Sequence, residues 1–192
     1  MSFYGIILAA GCGNRLNRKQ PKAFIKINDK EIYKYSLEVF LSIKQFKQII
    51  LVVPKRYVKK IKYKNFKVVA GGENRNESFE LGLKAINNIQ NDDRIIVHDA
   101  ARIFVLKQDI LKLIKNKQKQ GTRCYKGIKS QLGKSDLIYR NYHIQTPQYC
   151  SYEQYLKANV NPKGKDLFTY LNIKHKVSDF VISTNKHLNF KI

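Results

Sequence analysis

An apolar run, Ile6-Ile7-Leu8-Ala9-Ala10, opens directly into Gly11-Cys12-Gly13-Asn14-Arg15, and Pro21-Lys22 follows closely. A strand that ends in a glycine loop presents bare backbone N–H groups, which cradle phosphate oxygens. Arg15 and Lys22 add a guanidinium and an ammonium to a loop already suited to an anion. The pattern is not a P-loop, because GxxxxGK[ST] is absent. It is also a poor dinucleotide fingerprint, since Leu16 occupies the third glycine position. Two glycines for close approach and two cations remain, and together they suit chemistry at a nucleoside triphosphate. Pro21 fixes the backbone ahead of Lys22 and helps aim its ammonium group.

Two further clusters carry suitable chemistry. In Ile95-Ile96-Val97-His98-Asp99-Ala100-Ala101-Arg102 a carboxylate stands just past an apolar strand. An Asp there can hold Mg²⁺, which typically binds one or two carboxylates plus substrate phosphates. Ala100 and Ala101 would leave room for a sugar beside the backbone. The alternative is that Asp99 caps the following turn or pairs with Arg102. In Gly71-Gly72-Glu73-Asn74-Arg75-Asn76-Glu77-Ser78 the glycines permit close approach of a flat base, and Ser78 Oγ can donate or accept a hydrogen bond. Asn74 with Glu77 also reads as a helix cap, and both roles can hold at once.

No general base stands out. His98, His143, His175 and His187 show no metal-ligand spacing, and no Ser or Cys nucleophile motif is visible. A phosphate monoester is already anionic near neutral pH and needs no deprotonation to attack. Catalysis then reduces to positioning and charge stabilisation, as in phosphoryl-type transfer.

The elements that must position these clusters alternate between short apolar runs and helical patterns, which argues for an α/β fold with a largely parallel sheet. Strands are expected over Phe3–Ala9, Gln48–Val53, Phe66–Ala70 and Arg94–Val97. Apolar spacing predicts helices over Glu31–Ile43, Asn74–Ile89 and Lys107–Lys119. Beyond Gly121 the pattern weakens: strands are expected over Arg123–Ile128, Leu137–Gln145 and Asp179–Ser183, and short helices over Tyr152–Ala158 and Asp166–Asn172. In open α/β sheets ligands bind beyond the carboxyl ends of the strands, where all three polar clusters fall.

Length suits one domain, residues 1–192, with a core that needs no staples. Cys12, Cys124 and Cys150 form no CxxC pair and read as reduced thiols of a cytoplasmic protein. No basic region precedes the first apolar run and no apolar stretch is long enough to cross a bilayer, so neither a signal peptide nor a membrane partner is expected. The net charge of +23 is spread along the chain, with denser patches at Lys55–Lys67 and Lys112–Lys129. Specific nucleic-acid binding would need that charge on one face with aromatic residues between, so only a generic pull on polyanions is expected.

With these clusters the chain resembles the 2-C-methyl-D-erythritol 4-phosphate cytidylyltransferase family and its ribitol-5-phosphate cytidylyltransferase relatives. The resemblance lies in Leu8 to Arg15 with Pro21-Lys22, Gly71 to Ser78 with Gly82-Leu83, Val97 to Arg102, Gln145-Thr146-Pro147-Gln148 and the final Asn189-Phe190-Lys191-Ile192. It implies a Rossmann-like nucleotide-diphospho-sugar transferase fold, mostly parallel, with helices on both faces and a short hairpin arm at roughly residues 122–146. It implies that CTP is lined by Ala9, Ala10, Gly11, Gly13, Gly72, Glu73, Ser78 and Ala100, with Gly72, Glu73 and Ser78 reading cytosine. Arg15, Lys22 and Lys191 would be catalytic, the two lysines stabilising the five-coordinate α-phosphorus. Asp99 would hold the Mg²⁺ side, and Arg102 and Arg140 would contact the acceptor. The implied reaction is transfer of CMP from CTP to 2-C-methyl-D-erythritol 4-phosphate with release of pyrophosphate, within isoprenoid precursor synthesis. Ribitol 5-phosphate as acceptor, or a degenerate nucleotide-binding homologue, are the alternatives. The arm stretch Ile128-Lys129-Ser130-Gln131-Leu132 lacks the Asp-Thr pair of family members, and a homodimer through this shortened arm is the expected assembly.

Overall fold

The computed structural model describes residues 1–11, 20–62, 64–126, 142–164, 166–171 and 180–182. Strand β1 (Phe3–Leu8) is buried along its whole length. A strand apolar on both faces belongs in the middle of a sheet covered on both sides. A 3-10 turn (Lys22–Phe24) and a minimal hairpin, β2 (Lys26–Ile27) and β3 (Lys30–Glu31), lead into helix α1 (Ile32–Leu41). Then come β4 (Phe46–Val53), α2 (Lys55–Val58), β5 (Lys67–Ala70), α3 (Arg75–Lys84), β6 (Arg94–Asp99) and α4 (Lys107–Lys115). The chain continues through β7 (Gln120–Lys126), β8 (Tyr142–Ser151), α5 (Tyr152–Leu156), α6 (Leu167–Tyr170) and β9 (Phe180–Ile182).

Among the described residues the main sheet has seven strands, in the order β5-β4-β1-β6-β8-β7-β9. β1 pairs in parallel with β4 and β6, and β4 with β5. β8 runs antiparallel to both β6 and β7, while β9 is parallel to β7. The sheet is therefore parallel except for β8. Side chains alternate across it. Ile7, Leu51 and Ile96 pack with Leu37 and Phe40 of α1 and with Ile110 and Leu113 of α4. On the other face Ile6, Val52 and Val97 pack with Phe79 and Leu83 of α3 and with Leu167 and Tyr170 of α6. The expected helices on both faces are present.

Element boundaries depart from the sequence reading for local reasons. α3 stops at Lys84 although apolar spacing continues through Ile86 and Ile89; Asn88 takes φ 53, a left-handed conformation that asparagine tolerates. Ile86 still packs into the core, so the period outlasts the helix. α4 stops at Lys115, because Asn116 is extended and its side chain accepts the amide of Gln118 at 3.0 Å. β6 runs on to Asp99, paired with Leu8, so the carboxylate ends the strand rather than following it. Of the strand expected over Leu137–Gln145, the described part from Tyr142 is strand, and β8 runs on to Ser151 with Thr146-Pro147 through its middle. Thr122 pairs with Gln148 but Arg123 with Gln145, so two residues bulge out of the ladder where proline has no N–H to give. The β2–β3 hairpin and α2 carry no apolar period and were not expected. Residues 127–141, most of the expected arm, lie outside the described residues.

Helix α3 also binds the chain that follows β8. Glu80 accepts hydrogen bonds from Tyr155 at 2.5 Å and Tyr170 at 2.7 Å. Buried Asn76 donates to the carbonyls of Pro162 at 3.1 Å and Gly164 at 2.9 Å. Burial first, then the hydrogen bond and the charge of Glu80, push the Tyr170 hydroxyl up from 10.0 to about 12. A phenol whose pKa rises on folding stabilises the fold below its unfolded value and loses that contribution as pH climbs through its folded value. Tyr170→Phe is expected to cost about 1 kcal/mol in urea denaturation at neutral pH. The wild type should lose this increment between pH 10 and about 12, while the variant should not.

Candidate active site

The carboxyl edge of the sheet is knit together by main-chain hydrogen bonds. Ala9 N–H donates to the Val52 carbonyl at 2.8 Å, Gly71 N–H to Val53 at 2.8 Å, and Ala100 N–H to Leu8 at 2.9 Å. Each sequence cluster thus leaves the sheet tethered to its neighbouring strand. The side chains of Ala9, Ala10 and Ala100 are buried, Ala9 and Ala100 against α1 and α4 and Ala10 against α3. With their methyl groups turned into the core, these residues present main chain at the sheet edge. Gly11 is exposed, and none of the described residues lies within 4 Å of where its side chain would begin.

Gly71 is where two clusters touch. A Cβ there would fall 2.3 Å from Ala10 Cβ and 2.8 Å from Ser78 Oγ. At Gly72 a Cβ would fall 2.3 Å from the Glu77 carboxyl carbon. Only glycine lets this turn lie against both the β1 loop and its own helix. The turn's amides are spoken for: Ser78 Oγ accepts from Gly72 N–H at 3.1 Å, and Glu77 Oε2 accepts from Glu73 N–H at 2.7 Å. Asn74 caps α3 by accepting the Glu77 amide at 2.9 Å, as the sequence suggested. Ser78 is buried, so its hydroxyl is fixed in place.

Asp99 is held from several directions. Its Oδ1 accepts from Arg75 Nε at 3.0 Å, and its Oδ2 lies 3.7 Å from Arg102 Nε. Its backbone N–H donates to Thr146 Oγ1 at 3.2 Å, and its carbonyl accepts from Arg102 N–H at 3.0 Å. Beneath it, buried His98 places Nε2 3.1 Å from Ser36 Oγ and 3.2 Å from the Arg102 carbonyl. The pairing with Arg102 named as an alternative is present, and Arg75 joins it. Sequence reasoning assigned no role to Arg75 or Thr146; both lay inside quoted motifs, and neither motif shows which partner its side chain meets. Gln148 of the same segment accepts the Leu167 amide at 3.0 Å and so seats α6.

Lys22 begins the 3-10 turn, half-buried, after Pro21. The turn closes with Phe24 N–H donating to the Pro21 carbonyl at 2.9 Å. Phe24 is buried and stacks on Tyr57 of α2 with ring centroids 3.7 Å apart. Gly13, Arg15, Arg140 and Lys191 lie outside the described residues. The described residues contain no group of three or more His, Cys, Asp or Glu placed to hold a metal. Asp99 offers one carboxylate there, with Arg75 and Arg102 set against its two oxygens, so the described residues alone do not make up a cation site. A cavity of about 290 Å³ lined by Lys119, Glu153 and Lys157 adjoins α5, at the amino end of β6 and away from Asp99. No helix among the described residues is long and apolar enough to cross a membrane.

Comparison with known proteins adds a family. The family model described as 2-C-methyl-D-erythritol 4-phosphate cytidylyltransferase matches residues 3–165. The enzyme of that name from Thermotoga neapolitana is 33% identical over 82% of this chain and 77% of its own length. Its counterpart from Endomicrobium trichonymphae is 34% identical, covering 97% of this chain and 91% of that protein. Among solved structures, the bifunctional IspDF from Campylobacter jejuni superimposes with a TM-score of 0.77 at 26% identity, covering 100% of this chain and 52% of that one. The Francisella tularensis 2-C-methyl-D-erythritol 4-phosphate cytidylyltransferase gives 0.64 at 26% identity, covering 80% and 74%.

The packing at Gly71 yields a test. Gly71→Ala forces a methyl onto Ala10 and Ser78, and should cost about 1–3 kcal/mol in chemical denaturation. Gly11→Ala, where no described residue crowds the side-chain face, should cost less than half as much in the same measurement.

Proposed function

The chain belongs to the 2-C-methyl-D-erythritol 4-phosphate cytidylyltransferase family, and on that premise we propose a reaction and a role for each site residue. It is a CTP-dependent nucleotidyltransferase that transfers CMP to 2-C-methyl-D-erythritol 4-phosphate, a step of isoprenoid precursor synthesis. The named relatives favour this acceptor over ribitol 5-phosphate. The structural observation that supports the reading is the tethering of the β1 loop, the Gly71-Gly72 turn and Asp99 to one sheet edge.

In the proposed mechanism the triphosphate rests on the main chain after β1, from Ala9 through Gly11 and Gly13. Arg15 and Lys22 contact its charged oxygens. Cytosine lies against Gly72 and Glu73, near the fixed hydroxyl of Ser78, and Ala100 contributes main chain. A phosphate oxygen of the acceptor attacks the α-phosphorus in line, the bond to the β-phosphate oxygen breaks, and pyrophosphate leaves with that electron pair. No proton needs to be taken from the nucleophile, which fits a site without a general base. Lys22 and Lys191 stabilise the added negative charge at the five-coordinate phosphorus. Arg102, joined by Arg140, binds the acceptor. Mg²⁺, as the ion that accompanies a nucleoside triphosphate, would neutralise phosphate charge, and no step rests on its being held at Asp99. The same reading takes residues 1–192 as one domain acting in the cytoplasm, as a homodimer through the short arm, with no specific nucleic-acid partner.

Pyrophosphate release with CTP and a panel of polyol phosphates tests the reaction. The methylerythritol phosphate is expected to turn over well above ribitol 5-phosphate, and no release with either would leave nucleotide binding alone. Lys22→Ala should lower kcat by about 10²–10³-fold with little change in unfolding midpoint; near-normal turnover would remove Lys22 from the chemistry. Ser78→Ala should narrow the preference for CTP over UTP, and an unchanged ratio would mean that the base is read elsewhere.

A further inference from the structure

A lysine that stabilises charge at phosphorus must spring from a fixed point, and the turn that carries Lys22 is short. It spans Lys22–Phe24, with Pro21 offering no side-chain cap, and the two-residue strand β2 follows. Its main-chain bonds, Phe24 N–H to the Pro21 carbonyl and Ile25 N–H to the Lys22 carbonyl at 3.2 Å, close the turn on itself. Gln20 Nε2 donates to the Phe24 carbonyl at 2.7 Å, again within the same stretch of chain. Ile32 N–H, donating to the Ile25 carbonyl at 3.0 Å, ties the exit of the turn to the start of α1.

The larger anchor is the Phe24 side chain, buried in the core. Its ring meets Tyr33 of α1 at 5.2 Å, tilted by 45°, and Tyr57 of α2 at 3.7 Å, within 22° of parallel. Tyr33 is buried, whereas Tyr57 is half-buried and packs against the core from its margin. The Arg56 guanidinium carbon and Lys60 Nζ lie 5.2 and 5.5 Å from the Tyr57 ring centroid. Cations at that distance favour an aromatic ring over an aliphatic side chain. No residue of α2 is fully buried, so this element adds little to the core itself. Its place in the chain is more telling. α2 leaves the sheet one residue after β4, and the Val52 and Val53 carbonyls of β4 are the ones that hold Ala9 and Gly71. The Phe24–Tyr57 stack therefore fastens the Lys22 turn to the strand end that already carries the glycine loop and the glycine turn.

We propose that Tyr57 is a positioning residue for the transfer: by stacking on Phe24 it fixes the Lys22 turn to the β4 edge and so sets where the Lys22 ammonium stands when charge builds at the α-phosphorus. The inference rests on Lys22 as a catalytic residue. A group displaced by about 1 Å from its working position can cost about 100-fold in rate. A loosened turn loses that placement, while the main chain after β1 and Arg15 still hold the nucleotide. The loss then falls on kcat more than on KM for CTP.

Tyr57→Leu removes the ring and keeps apolar bulk, and Tyr57→Phe keeps the stack; Tyr57→Met takes the place of the Leu variant if that one unfolds. Two measurements on the intact chain test the proposal. Amide hydrogen exchange at Phe24 and Ile25, followed by NMR without ligand, reads the turn, and pyrophosphate release with CTP and the methylerythritol phosphate reads the chemistry. Tyr57→Leu should speed exchange at both amides on the order of tenfold. It should lower kcat on the order of tenfold with a much smaller change in KM for CTP, and Tyr57→Phe should restore both readouts. In a Lys22→Ala background Tyr57→Leu should lower kcat no further, because no ammonium is left to misplace. A merely structural role would lower kcat by the same factor in both backgrounds, and that result overturns the proposal. So does unchanged exchange in Tyr57→Leu, or wild-type kcat in Tyr57→Leu when Lys22→Ala is impaired. Should the wild type release no pyrophosphate, or Lys22→Ala release it normally, the reading of Lys22 fails and this inference with it.

Discussion

Three main-chain hydrogen bonds at the carboxyl edge of the sheet govern everything downstream of them. Ala9 to Val52, Gly71 to Val53 and Ala100 to Leu8 carry the ladder one step past the strands proper. Each binds the start of a loop to the end of a neighbouring strand. Parallel neighbours all end on the same side, so a glycine loop, a glycine turn and a carboxylate that are far apart in the chain emerge side by side. The alanines at these points are small because they are packed, Ala9 and Ala100 into one layer and Ala10 into the other. Their job is to let the backbone lie at the sheet edge with nothing projecting from it.

Around that edge the remaining polar groups act as struts. The Gly71-Gly72 turn spends its amides on Ser78 and Glu77, which freezes its shape before any ligand arrives. The Asp99 loop rests on His98, itself in contact with Ser36 of α1, and is steadied above by Thr146 from the bulge of β8. A bulge in the one antiparallel strand therefore delivers a hydroxyl to the end of a parallel one. The segment after β8 is drawn in by α3 through Asn76 and Glu80, so the helix that carries Ser78 also secures the outer wall. Preorganisation of this kind is what electrostatic catalysis needs, since groups already in place need not reorganise during reaction.

The high positive charge has a local counterpart. Glu153 is bracketed by Lys119 and Lys157, whose hydrogen bonds and charges pull its carboxyl down to about 2. With cations in such excess, acidic groups are readily partnered, and Asp99 with its two arginines follows the same economy at the site itself. The buried Cys150 thiol shows the opposite case: desolvation pushes it up to about 12, so it stays protonated and inert.

Local chemistry was enough to read the three clusters and the alternating layers from sequence, because hydrophobic period and glycine placement are properties of neighbouring residues. The first strand, the helix after the hairpin and the cap at Asn74 follow from residues a few positions apart. The cap's neighbour Arg75 shows where that reasoning ends. Its partner Asp99 is 24 residues away, and only the pairing of β1 with both β4 and β6 brings the two together. Likewise Thr146 reaches Asp99 across 47 residues because β8 turns antiparallel and bulges, a choice made by sheet register and by no local signal. Residue types and short spacings determined which chemistry was available; long-range pairing, settled by packing two layers on one sheet, decided which groups would meet.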